Sequence, residues 1–204
     1  MLAEIRVGPF TGADGSVQPA RSDRVGAMVV TDAHGRYTEA SRLGNLFVAS
    51  NVAAQAVSVA LTTTYTGLVI CNPIGNTKNL VMLGCNYALS VAPAAIAPLF
   101  LIAGYSATAN VTHTTPLASP GIQNCLLGTG APATAKADSA ATIVNPTYLV
   151  PLGSGFTAAA LYATTPSWID LGGQFVLPPG AWIAIGALTA VTGFGGFLWE
   201  EMPI

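Results

Sequence analysis

A chain of 204 residues is long enough for one large β domain, or for one domain plus an arm. A folded monomer of this mass exposes roughly 9,000 Å2, so a core can form without help from disulfides. Only 8% of residues are Asp, Glu, Lys or Arg, against about 25% in an average soluble domain, and a net charge of −2 gives no basis for binding nucleic acid.

The charge deficit is uneven. Residues 1–42 hold all five arginines (Arg6, Arg21, Arg24, Arg36, Arg42) and five acids (Glu4, Asp14, Asp23, Asp32, Glu39), whereas residues 43–199 hold only Lys78, Lys136, Asp138 and Asp170. A monomer exposing so little charge would be poorly soluble. The composition implies that other protein covers much of the surface; the alternative is a surface wetted by Thr, Ser, Asn and Gly.

In chain order, residues 1–24 read as an extended arm. They are turn-rich around Gly8-Pro9-Phe10-Thr11-Gly12, lack periodicity, and contain no apolar signal-peptide core. A hairpin is expected next, with strands Ala27–Thr31 and Arg36–Glu39 around Asp32-Ala33-His34-Gly35. From Leu43 the composition turns apolar. Leu46–Val52 is consistent with a helical turn, and Val57, Val59 and Leu61 alternate as in a strand. A second hairpin is expected from Thr66–Asn72 and Asn79–Tyr87, joined through Pro73, Gly75 and Asn76. Both of its faces are apolar, which implies a cover on each side: a helix, an arm or another subunit.

Tyr87–Tyr105 is uncharged and long enough to span a bilayer, but Pro93 and Pro98 favour two strands around a bend. Thr108–Gly130 reads as loop and Ala131–Ala141 as low-complexity sequence. Strand candidates then recur at Ala141–Val144, Thr147–Val150, Ala158–Ala163, Trp168–Leu171, Gln174–Leu177, Trp182–Leu188 and Phe194–Glu200, with a sharp turn at Pro178-Pro179-Gly180. Many short strands with Gly/Pro punctuation mean a sandwich or barrel.

The chemistry is sparse. Cys71, Cys85 and Cys125 form no Cys-x-x-Cys pair and read as reduced, buried thiols. His34 reads as a solvated turn residue and His113 as a loop residue, with no Gly-x-Ser-x-Gly elbow nearby. Asp138 and Asp170 read as a surface charge and a turn cap rather than a glycosidase pair. Lys78 follows Asn76-Thr77, not a phosphate-binding glycine loop. Trp168, Trp182, Trp199, Phe194 and Phe197 read as core or subunit interface rather than a sugar platform. No catalytic, cofactor-binding or metal-binding residue is expected, and no cofactor.

Two stretches resemble known proteins. Phe175-Val176-Leu177-Pro178-Pro179-Gly180-Ala181-Trp182, followed by Thr192-Gly193-Phe194-Gly195-Gly196-Phe197-Leu198-Trp199, is similar to the C-terminal strands of C1q and tumour-necrosis-factor-like jelly-roll trimers. Thr64-Tyr65-Thr66-Gly67-Leu68 and Asn72-Pro73-Ile74-Gly75-Asn76, together with the ending Gly196-Phe197-Leu198-Trp199-Glu200-Glu201, resemble structural proteins of tailed-bacteriophage virions, among them capsid decoration (cement) proteins and tail components.

The expectation is an all-β, jelly-roll-like β-sandwich over residues 43–204 with an N-terminal arm and hairpin over 1–42. The resemblance implies a non-enzymatic virion protein, assembled in the host cytoplasm, that sits on the capsid surface as a homotrimer. It would bind the major capsid protein or another virion protein, with no nucleic acid and no membrane as partner. A phage tail or host-recognition component, or a C1q-like receptor-binding trimer, is the alternative on the same fold.

Overall fold

The computed structural model describes residues 35–117, 121–128, 130–155 and 168–204. The chain divides between Glu39 and Ala40 into two units, and the described strands belong to the second. The arm 1–24, the expected strand at Ala27–Thr31, His34 and the candidate strand Ala158–Ala163 lie outside the described residues. Arg36–Glu39, expected as the partner strand, is instead a turn running into a short helix, α1 (Thr38–Arg42). The Thr38 N–H donates to the Gly35 carbonyl (2.9 Å). Glu39 in the first turn and Arg42 in the last suit the helix dipole.

Among the described residues twelve strands follow: β1 (Leu46–Ser50), β2 (Gln55–Val57), β3 (Thr64–Cys71), β4 (Lys78–Val91), β5 (Ala97–Tyr105), β6 (Thr112–Pro116), β7 (Ile122–Asn124), β8 (Lys136–Thr142), β9 (Thr147–Gly155), β10 (Ile169–Leu177), β11 (Ala181–Ala187) and β12 (Val191–Pro203). They form two antiparallel sheets. The first runs β10-β4-β12-β1-β7, with β2 also on β12; the second runs β6-β8-β3-β11-β5-β9. Taken in sequence, β1, β3, β4, β5, β9, β10, β11 and β12 place β10-β4-β12-β1 in one sheet and β3-β11-β5-β9 in the other. This is jelly-roll connectivity, a double-sheet sandwich of eight strands, with β6, β7 and β8 inserted between β5 and β9.

Several expectations change. Leu46–Ser50 is strand, not helical turn, because Phe47 and Ala49 alternate into the core. Thr108–Gly130 and the low-complexity stretch after it contain β6, β7 and most of β8. Trp168–Leu171 and Gln174–Leu177 belong to one region of strand, β10, whose pairing with β4 slips between Asp170 and Phe175. Gly172 and Gly173 take positive φ at that slip, where a bulge needs residues free of a Cβ. Tyr87–Tyr105 is the end of β4, a bend and β5 in the opposite sheet; among the described residues no helix is long and apolar enough to cross a membrane.

The largest correction concerns the hairpin expected from Thr66–Asn72 and Asn79–Tyr87. The two strands exist, but β3 pairs with β8 and β11 while β4 pairs with β10 and β12. The Asn72–Thr77 connection crosses from one sheet to the other. Asn72 makes the crossing possible: its buried amide donates to the carbonyls of Lys78 (2.9 Å) and Leu177 (2.9 Å). Two-sided apolarity follows from this arrangement. Leu68, Ile70, Leu80 and Met82 point into the space between the sheets, with Phe47, Leu99, Leu101, Ile183, Phe197 and Trp199.

Val69 and Cys71 face the other way, into a second apolar cluster with Tyr65, Ile102, Val111, Ile143, Trp182 and Ala184 on the outside of the second sheet. The chain itself provides the cover there. The segment after β8 crosses the outer face: the Trp182 indole N–H donates to the Val144 carbonyl (2.7 Å). Gly104 on β5 permits that approach, since a Cβ there would run into the Val144 and Asn145 carbonyl oxygens. Neither a helix nor a second subunit is needed on this side.

Two tests follow. Gly104→Ala should destabilise the protein by about 1–3 kcal/mol in urea unfolding, because a backbone segment has to lift, and should move Trp182 fluorescence towards longer wavelength. Burial also pushes the Cys85 thiol in the core up from its ordinary 9.0 to about 11. The folded state holds that proton more tightly than the unfolded chain, so the contribution is complete below pH 9 and is lost as pH rises to about 11. Cys85→Ala should lose less stability across that window than the parent chain.

Candidate functional site

Two places bring together residues whose chemistry the fold alone does not demand. The first is a polar cluster on the outer face of the second sheet. On β8, Asp138 stands opposite Val69 of β3, and Cys71 stands opposite Lys136, so Asp138 and Cys71 are diagonal neighbours on one face. On the edge strand β6, His113 is paired with Ala141 of β8. Its Nδ1 lies 2.6 Å from Asp138 Oδ2. The Asp138 side chain is 0% exposed and that of His113 37%. Asp138 Oδ1 is buried and has no hydrogen-bond partner among the described residues.

The electrostatics follow from burial. Loss of water raises the Asp138 carboxyl above its usual range, and the His113 hydrogen bond and charge work against that rise. The Cys71 thiol is pushed up to about 12, first by burial and then by the neighbouring Asp138. It is therefore a poor nucleophile in this state. The ligand atoms of Cys71, His113 and Asp138 all lie within 4.8 Å of one another. The expected roles of His113 as a loop residue and Asp138 as a surface charge are thus corrected. Asp170, considered as its partner, is on the other sheet and accepts the Gly172 N–H (2.8 Å).

The second place is the outer face of the first sheet. On β1, Phe47 and Ala49 point inward and Val48 outward; on β12, Phe197 and Trp199 point inward and Phe194, Leu198, Glu200 and Met202 outward. Val48 is paired with Leu198, and Val176 with Val81. Trp168 lies against Gly84, where no Cβ would fit, and remains 47% exposed. Val48, Val176, Phe194 and Met202 are exposed as well. The charges on the outward positions of these strands are Asp170 and Glu200, both acidic. Of the five aromatics read as core or interface, Trp182, Trp199 and Phe197 are fully buried, while Trp168 and Phe194 lie on this open face.

A cleft of about 430 Å3 lies beside β5, β9, β10 and β11, lined by Tyr105, Asn145, Gln174, Phe175 and Trp182 among others. Among the described residues Tyr105 is the one titratable side chain in its wall, and these residues offer little for acid–base chemistry. The other buried carboxylate among the described residues, Glu201, is satisfied by Lys78 Nζ (3.1 Å), the Thr134 hydroxyl (2.8 Å) and the N–H groups of Thr134 (2.8 Å) and Ala135 (3.0 Å).

No known protein family, curated protein sequence or solved structure matches this chain.

The Cys71–His113–Asp138 grouping escaped sequence reasoning because its members are far apart in sequence and share no local motif. One signal was present: in a stretch of 157 residues with four charges, each charge is worth suspecting. His113→Ala should destabilise the fold by about 1–3 kcal/mol in urea, the cost of leaving a buried acceptor without its partner.

Proposed function

We propose that this chain is a non-enzymatic structural subunit that packs the outer face of its first sheet against copies of itself, and that the assembly decorates and reinforces a bacteriophage head. The observation that carries the reading is the open face itself: apolar rows of Val48, Leu198, Phe194, Trp168, Val81 and Val176, on which the outward charges of the described strands are the acids Asp170 and Glu200. Acidic groups disfavour a polyanion as the occupant. Around a three-fold axis each copy lays part of this face against a different part of its neighbour's, a head-to-tail contact that closes into a ring and covers the apolar rows. Five strands about 4.8 Å apart, the longest of 14 residues, present roughly 24 Å by 45 Å. That is of the order of the ~800 Å2 that a stable interface takes from each partner.

Support for the shell role comes from the resemblance of Thr64–Leu68, Asn72–Asn76 and Gly196–Glu201 to phage virion proteins, from jelly-roll connectivity, and from the low charge of the body. The mechanism is mechanical. A trimer that binds assembled shell better than free capsid subunits stabilises the shell by mass action.

Analytical ultracentrifugation should give a species near three times the monomer mass. Val48→Asp should weaken self-association at least ~tenfold, about 1.4 kcal/mol, with the circular dichroism unchanged. A clean monomer at micromolar concentration would overturn the self-packing. Electron microscopy of the particle should then place many copies over capsid junctions; a few copies confined to the tail would overturn the decoration role.

A further inference from the structure

Cys71, His113 and Asp138 supply one sulfur, one nitrogen and one oxygen donor from three adjacent strands. Asp138 is completely buried, and its Oδ1 meets no donor among the described residues. The His113–Asp138 hydrogen bond accounts for Oδ2 only. A buried carboxylate oxygen without a partner costs free energy, and a cation between it and the thiol would remove that cost. The partly exposed imidazole on an edge strand gives the entry path.

We propose that Cys71, His113 and Asp138 form a binding site for a zinc-class divalent cation, with solvent in the fourth position. The donor set suits a borderline-soft ion that takes Cys, His and Asp in tetrahedral geometry. Metal–ligand bonds of about 2.0–2.3 Å put tetrahedral donors roughly 3.3–3.6 Å apart. The donors here lie within 4.8 Å, and the 2.6 Å His113–Asp138 contact has to open by less than about 1 Å. His113 has room to make that shift because its side chain is partly exposed.

Binding is a substitution at sulfur. The S–H bond breaks, its proton leaves to solvent, and the sulfur lone pair forms the metal bond; nothing is oxidised or reduced. Thiolate, carboxylate and a divalent cation sum to zero charge, which lowers the cost of burying each. Lys136, opposite Cys71 in the register, opposes a cation, but it is exposed and screened by water.

The test is titration of the full-length, chelator-treated protein with Co2+, followed by displacement with Zn2+. The expected result is one metal per chain and a thiolate-to-cobalt charge-transfer band in the near ultraviolet. Cys71→Ser should abolish the band and Cys125→Ser should leave it unchanged. His113→Ala and Asp138→Asn should each weaken Co2+ binding at least ~tenfold. A readout independent of any variant is thiol alkylation in mild urea, which opens the buried thiols, mapped by mass spectrometry: Zn2+ should protect Cys71 and not Cys125. No charge-transfer band with the parent protein, a band that persists in Cys71→Ser, or protection that maps to Cys85 or Cys125 would each overturn the site.

Discussion

A single buried carboxylate, Glu201, holds together the parts of this sandwich that hydrophobic packing alone would leave free to slide. It lies near the end of β12, the strand that pairs with β1, β2 and β4. Its two oxygens take hydrogen bonds from Lys78 at the start of β4 and from the backbone and hydroxyl of the segment leading into β8. Thr134 also accepts from Asn76, and Asn76 from its amide nitrogen reaches the Asn72 side chain. The crossover between the sheets, the C-terminal strand and the approach to β8 therefore form one polar network. In a low-dielectric interior such a network is stable only when fully satisfied, and this one is. It also sets where β8 begins, and hence where Asp138 meets Cys71.

The two outer faces of the sandwich have been treated differently by the chain. On the second sheet, the segments around Val111 and Ile143 close over Tyr65, Val69 and Trp182, and Gly104 makes room for the backbone to do so. On the first sheet Trp168, Val48, Val176 and Phe194 stay open. The low charge of the sequence thus has two physical origins: part of the apolar excess is buried within the chain, and part is displayed. The displayed part is what an assembly would use, while the covered side encloses the polar cluster.

Within that cluster the sequence offered little guidance. A Cys, a His and an Asp separated by 42 and 25 positions become neighbours only because β6 and β8 extend the second sheet beyond β3. Thr108–Gly130, which holds Thr112–Pro116, reads as loop because Pro116, Pro120 and Gly121 punctuate it; an edge strand with every residue exposed has no apolar alternation to set against that. Trp182 and Trp199 were legible as core, but their neighbours in the same run, Trp168 and Phe194, carry an indistinguishable local signal and face outward.

What the sequence determined by itself was the class of structure. Alternating apolar positions, β-branched and aromatic residues, and regular Gly and Pro turns admit little but a β-sandwich or barrel, and these are local properties that backbone geometry reads over a few residues. The partner of each strand was decided by tertiary structure. Thr66–Asn72 and Asn79–Tyr87 look like a hairpin because both are apolar on two faces and a turn sequence joins them. Only the competition for pairing, in which β12 and β10 take β4 while β8 and β11 take β3, sends them to opposite sheets. Strand pairing is chosen by contacts between residues distant in sequence, and no local pattern encodes which distant strand wins.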